Sequence, residues 1–218
     1  MSYIKFYERI KKFKMNLKVC GMKYKNNILE ISNLKPDLMG FIFWPESPRY
    51  FDYNIINIPR EIAKVGVFVN QSFEFILEKI NKYDLNYVQL HGKEKVQFCK
   101  KLNSVTKIIK VFNVGEKFDF NNIKPYEDFC DYFLFDTQGK GYGGTGKKFD
   151  WNILKNYESN KPFFLSGGID VNDFQDIIKI TKLGIPLKGI DINSRFEIKP
   201  GLKDVKKVKV LIKKMKYE

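Results

Sequence analysis

Leu17-Lys18-Val19-Cys20-Gly21-Met22 is a short apolar run closing on Cys-Gly, and it reads as a strand. Asn26–Leu34 follows it with helical periodicity. An open sheet built to bind a dinucleotide carries a G-x-G-x-x-G turn at this point. Cys20-Gly21-Met22 leads into no such turn. The same alternation then recurs along the chain. Strands are predicted over Leu38–Phe43 (ended by Pro45 and Pro48), Lys64–Val69, Tyr87–Leu90, Val105–Phe112, Asp131–Asp136, Phe163–Leu165 and Leu187–Ile192. Helices are predicted around Ile55–Ala63 (weakly) and over Phe73–Lys82, Lys93–Leu102, Asp170–Ile180 and Val205–Met215. About eight strand–helix units in roughly 200 residues fit a closed (β/α)8 (TIM) barrel better than an open sheet. The expectation is one barrel domain over residues 15–218, preceded by an extension, residues 1–14, as accessory helix or tail.

Composition narrows the chemistry. The 218 residues are 44% hydrophobic and 16% aromatic, enough for a large core and too apolar for disorder. No run approaches the roughly 20 apolar residues of a membrane helix, and the first residues lack a secretory signal pattern, so a cytoplasmic chain is expected. Cys20, Cys99 and Cys130 are widely spaced and His91 is the single histidine, which argues against a zinc site or a disulfide framework. The formal charge of +14 suggests nucleic acid. Of the 39 basic residues, however, only Arg9, Arg49, Arg60 and Arg195 are arginine, the better residue for base and phosphate forks. With Ala63 as the single alanine, the lysines read as compositional background, and no nucleic-acid partner is expected.

In a barrel, functional residues gather at the C-terminal strand ends. Here those ends are Cys20, Pro45–Arg49, Asn70, His91, Asp136, Gly167-Gly168 and Asp191–Ser194. The glycine-rich stretch Gly139–Lys148 lacks the Ser/Thr of a Walker loop and reads as a lid over a strand end. Ser166-Gly167-Gly168, just before the Asp170 helix, is a better anion site. Paired glycines let backbone N–H groups approach a phosphate, and the helix N-terminus adds its dipole. Asn193-Ser194-Arg195 supplies the matching loop after strand eight. Cys20 and Asp136 face each other across the mouth, where thiol and carboxyl could serve as base and acid on a sugar phosphate. Spacing alone favours a core cysteine and a helix-capping aspartate.

Several blocks together resemble the phosphoribosylanthranilate isomerase family. They are Leu17–Met22, Gly40–Phe43 running into Pro45-Glu46-Ser47-Pro48-Arg49-Tyr50, Val65–Asn70, Val88-Gln89-Leu90-His91-Gly92, Gly143-Gly144-Thr145-Gly146-Lys147, Phe149-Asp150-Trp151, Ser166-Gly167-Gly168 and Pro200–Asp204. The resemblance implies an Amadori rearrangement of N-(5′-phosphoribosyl)anthranilate to 1-(2-carboxyphenylamino)-1-deoxyribulose 5-phosphate, the third step from chorismate to tryptophan. It implies Asp136 as general acid and Cys20 as general base, so the chemistry needs a protonated Asp136 and a thiolate at Cys20. It also implies Arg49 at the anthranilate carboxylate, Asp191 at the ribose hydroxyls or amine, and Gly167, Gly168, Ser194 and Arg195 around the phosphate. His91 is left in a supporting role. No metal and no cofactor are implied; the partner is a small phosphorylated substrate, and the chain acts as a monomer or homodimer.

Two departures stand out. The family's common Ser-Ser-Gly after strand eight is Asn193-Ser194-Arg195 here, and Arg195 either meets the phosphate or turns outward to an acid such as Glu197. Residues 1–14 lie outside the resemblance. The barrel isomerase of histidine biosynthesis performs the same rearrangement, but it uses a carboxylate where Cys20 stands and shows half-barrel repetition, and this sequence shows no repeat. An RNA-binding barrel would need lysines clustered with exposed aromatics.

Overall fold

A computed structural model describes residues 15–53, 57–139 and 148–217. Eight parallel strands close into a barrel in chain order: β1 (Asn16–Val19), β2 (Leu38–Ile42), β3 (Ala63–Phe68), β4 (Tyr87–Leu90), β5 (Lys107–Val114), β6 (Tyr132–Thr137), β7 (Phe163–Leu165) and β8 (Leu187–Ile192). Closure sets β8 beside β1 with Lys18 opposite Asp191. Outside the strands lie α1 (Lys25–Ser32), α2 (Phe73–Tyr83), α3 (Val96–Asn103), α4 (Phe174–Thr181) and α5 (Val205–Tyr217). A small antiparallel hairpin, β9 (Glu197–Lys199) and β10 (Leu202–Lys203), precedes α5. No helix among the described residues is long and apolar enough to cross a membrane.

Strand alternation divides the core in two. Leu38, Val65, Ile109, Val111, Leu134 and Phe164 point inward and fill the barrel. Their neighbours Met39, Phe133, Phe135, Phe163 and Leu165 point outward and pack under the surrounding helices and loops. Each such buried side chain contributes roughly 1.5–3 kcal/mol. A third cluster, Cys20, Ile42 and Val67 with Trp44 against it, closes the barrel interior at the mouth.

Three connections depart from the sequence reading. The weak helix around Ile55–Ala63 is not formed by its described part. Residues 57–62 run into a turn, with Ile62 N–H bonded to the Pro59 carbonyl at 3.0 Å, and Ala63 already belongs to β3. Pro59 explains this, since it lacks an N–H and biases its predecessor toward extended backbone. After β5 and β6 the chain forms 3-10 turns, Phe120–Phe129 and Trp151–Asn156, where the reading placed no helix. Asp119 and Asp150 start them by accepting the Asn121 and Asn152 N–H groups, and Pro125 interrupts the first. The Gly139–Lys148 lid falls almost entirely, and the 1–14 extension entirely, outside the described residues.

Candidate active site

The inward parity that fills the barrel with aliphatic side chains carries polar ones at its upper end. Lys18 on β1 and Cys20 just after it, Gln89 on β4 and His91 just after it, Asp136 on β6, Ser166 after β7 and Asp191 on β8 all share it. The eight residues expected from sequence, Cys20, Arg49, Asp136, Gly167, Gly168, Asp191, Ser194 and Arg195, line one pocket at the mouth.

At its floor, the fully buried Lys18 sends Nζ to Asp191 Oδ1 at 2.9 Å. The same ammonium is within hydrogen-bonding reach of the Cys20 thiol. Burial disfavours the Lys18 cation, but Asp191 and Cys20 outweigh it and its pKa is raised. Burial likewise pushes the Cys20 thiol up, opposed by Lys18 and Lys203. The resting site therefore favours the thiol, and the thiolate has to be drawn out by positive charge nearby. Gly40 on β2 makes the room for this pair, since a Cβ there would sit 2.8 Å from Cys20 Sγ and 3.3 Å from Lys18 Nζ.

Across the mouth, Asp136 Oδ1 accepts its neighbour Thr137 N–H at 2.8 Å, and Oδ2 lies 3.4 Å from His91 Nε2. Gln89, buried beside it, sets Nε2 3.3 Å from His91 Nδ1. His91 thus stands against the proposed acid and is held by β4.

The end of the pocket expected to take a phosphate is more restricted than the sequence suggested. Gly167 and Gly168 adopt φ of +89° and +65°, and a Cβ on Gly167 would collide with Thr137 N at 2.7 Å, so glycine is required there. At the helix start expected to add its dipole, the first N–H groups are already used. Asp173 accepts the Asp170 N–H at 2.7 Å and Asp170 accepts the Asn172 N–H, a reciprocal capping box. Lys207 and Lys148 pair with these two carboxylates. Glu197, named as an outward partner for Arg195, is engaged instead by Arg49 and Lys203. Arg195 itself is exposed at the pocket rim.

Residues 17–214 match the family described as N-(5′phosphoribosyl)anthranilate (PRA) isomerase. The chain belongs to this family. N-(5′-phosphoribosyl)anthranilate isomerase of Phocaeicola vulgatus is 42% identical over 205 residues, 94% of this chain and 99% of that protein. The crystal structure of phosphoribosyl anthranilate isomerase from Thermotoga maritima superposes with a TM-score of 0.81 at 31% identity, covering 93% of this chain and 98% of that one. Another, at 29% identity and TM-score 0.78, covers the same shares and is a complex with reduced 1-(o-carboxyphenylamino)-1-deoxyribulose 5-phosphate. The chain is accordingly an isomerase of tryptophan biosynthesis that interconverts an aldose and a ketose.

Sequence reasoning gave no role to Lys18 or Lys203 and offered Glu197 only as a partner for Arg195. Lys18 was visible in principle, because a lysine two residues before Cys20 in a strand shares its inward face. Glu197 and Lys203 left no such trace, since their meeting depends on a bulged hairpin.

Proposed function

We propose that this pocket carries out the family's isomerisation by proton transfers at Asp136 and Cys20. Asp136 gives its proton to the ribose ring oxygen; the C1′–O4′ bond breaks while the anthranilate nitrogen's lone pair forms a C1′=N iminium. The Cys20 thiolate then removes the C2′ proton, and the released pair forms C1′=C2′ and neutralises the nitrogen. The enolamine becomes the ketone as C1′ gains a proton and O2′ loses one, so no proton is consumed overall. The iminium supplies the missing positive charge beside Cys20 at the moment a thiolate is needed, adding to Lys18 and Lys203. Arg49 takes the anthranilate carboxylate by a guanidinium fork. Asp191 faces the ribose with Oδ2 while Oδ1 holds Lys18. Gly167, Gly168, Ser194 and Arg195 receive the phosphate.

What carries this reading is the convergence of Cys20, Asp136 and Asp191 on one pocket, with Lys18 buried against Asp191. The residues invoked come from one chain, so a monomer or a homodimer would have complete sites, and soluble substrate and product suit a cytoplasmic enzyme. The test is the loss of phosphoribosylanthranilate fluorescence with Cys20→Ser and Asp136→Asn. Each variant should lose roughly 10²–10⁴ in kcat with a smaller change in KM. Near-full turnover in a folded variant would remove that residue from the mechanism.

A further inference from the structure

Arg49 lies in the loop after β2, its own N–H 3.2 Å from the Ser47 hydroxyl. Its guanidinium has two in-plane edges able to grip a carboxylate. The Nε–Nη2 edge is taken: Nε donates to Glu197 Oε1 and Oε2 at 3.0 and 3.1 Å, and Nη2 donates to Oε2 at 2.7 Å. Nη1 makes no hydrogen bond with the described residues, and Arg49 lines the same pocket as Cys20 and Asp136.

Glu197 is itself fixed from behind. Its Oε1 accepts from the buried Lys203 Nζ at 2.7 Å and from Gly201 N–H at 3.0 Å. Lys203 Nζ also donates to Asn193 Oδ1 at 2.7 Å. The Lys203 backbone is clamped on both sides by Asn27 of α1, which accepts its N–H at 2.7 Å and donates to its carbonyl at 3.0 Å. The constraint runs from α1 through the hairpin to the guanidinium. Burial opposes ionisation of Glu197, yet Arg49 and Lys203 hold its carboxyl below the usual range. Two cations around one carboxylate leave a net positive charge facing the pocket, whereas a plain ion pair would leave none.

We propose that Glu197 and Lys203 are positioning residues that aim the Nη1 edge of Arg49 at the ring carboxylate of the substrate. This rests on the assignment of Arg49 to that carboxylate. Glu197 removes the competing edge and fixes the plane of the guanidinium; Lys203 offsets Glu197's charge so that Arg49 still attracts an anion. Selectivity for a carboxylated aromatic amine is then set by the hairpin as well as by Arg49.

The experiment compares two stable ligands by calorimetry on the full chain: the reduced product analogue 1-(o-carboxyphenylamino)-1-deoxyribulitol 5-phosphate and its phenylamino congener without the carboxylate. Glu197→Gln should weaken the carboxylated ligand roughly 10–100-fold and leave the congener within about twofold. Glu197→Asp, which keeps the charge but shortens the fork, and Lys203→Met should move the same ligand in the same direction, by less. Equal weakening of both ligands by these folded variants, or of neither, would overturn the proposal. Arg49→Ala tests the reading beneath it: if that variant affects both ligands equally, the carboxylate site is elsewhere. If only Arg49→Ala discriminates, Arg49 stands and the hairpin's role falls.

Discussion

Lys18→Met should cost activity in a way that raising the pH partly restores. The lysine is fully buried and holds Asp191 at 2.9 Å while reaching the Cys20 thiol. A cation and a thiolate about 4 Å apart attract by about 4 kcal/mol at an effective dielectric of about 20. The carboxylate of Asp191 cancels part of that field; keeping about half leaves about 2 kcal/mol favouring the thiolate, so removing Lys18 pushes the thiol's pKa up. Less thiolate would then be available near neutrality, and kcat should fall roughly 10–100-fold. The single variant also leaves Asp191 buried without its cation, a loss of about 3–5 kcal/mol that could unfold the chain. Lys18→Met with Asp191→Asn removes that orphaned charge, and Asp191→Asn alone is its control. Relative to the control, the double variant should shift to higher pH the limb of its kcat–pH profile along which activity climbs as the thiol ionises, measured by substrate fluorescence. A superimposable profile, with kcat within about twofold, would refute electrostatic support of Cys20 by Lys18.

Three further outcomes are expected. Arg195→Ala should raise KM by a loss of about 1–3 kcal/mol with kcat nearly unchanged, because phosphate binding is largely uniform along the reaction; an unchanged KM at low salt, without competing phosphate, would turn the side chain away from the site. Gly40→Ala drives a Cβ to within 2.8 Å of Cys20 Sγ and 3.1 Å of its Cα, so kcat should drop about tenfold or more beside a stability loss of about 1–3 kcal/mol; wild-type turnover would show that the pocket floor yields freely. Burial lowers the pKa of Lys203 to about 8, with Glu197 and Cys20 opposing that shift and Arg49 adding to it, so KM should climb as pH passes 8 and the net positive charge beside Arg49 disappears, whereas Lys203→Met should show a flatter profile. The stability sign is the reverse: between about 8 and 10.5 the unfolded chain binds the proton that the folded chain has released, so the denaturation midpoint should rise with pH more in the parent than in Lys203→Met.

Much of the fold was legible because a barrel repeats one pattern. Tyr87–Leu90, Phe163–Leu165 and Leu187–Ile192 are strands with the predicted bounds, and the other five shift by one to three residues at an end. The errors fall where local chemistry overrides periodicity: Pro59 against a helix, and Asp119 and Asp150 starting 3-10 turns where no helix was predicted. In the site, Cys20 and Asp136 were found because strand ends are where a barrel exposes side chains. The helix opening at Asp170 was read as favouring an anion, but Asp173 three residues on already satisfies the Asp170 N–H. That pair is readable in sequence as a capping box, given that carboxylates at both positions accept the N–H groups a phosphate would otherwise use.

The lysines show why composition misleads at a site. Most of the 39 basic residues do read as background, but Lys18, Lys110 and Lys203 are nearly fully buried. Each is matched to one acid, Asp191, Glu94 and Glu197 respectively. Lys110 Nζ also reaches the Leu90 and Gly92 carbonyls at 3.3 and 2.9 Å, on either side of His91. Glu94 in turn accepts the Asn70 N–H at 2.9 Å, joining the ends of β3 and β4. Buried pairs of this kind add little net stability over apolar residues of the same volume, because desolvation offsets the attraction. Their placement argues for another return: one lies under Cys20, one behind the arginine assigned to the substrate carboxylate, and one around the histidine facing Asp136. What the three pairs provide is direction, fixing where each polar group points in a mouth that aliphatic packing alone would leave loosely defined.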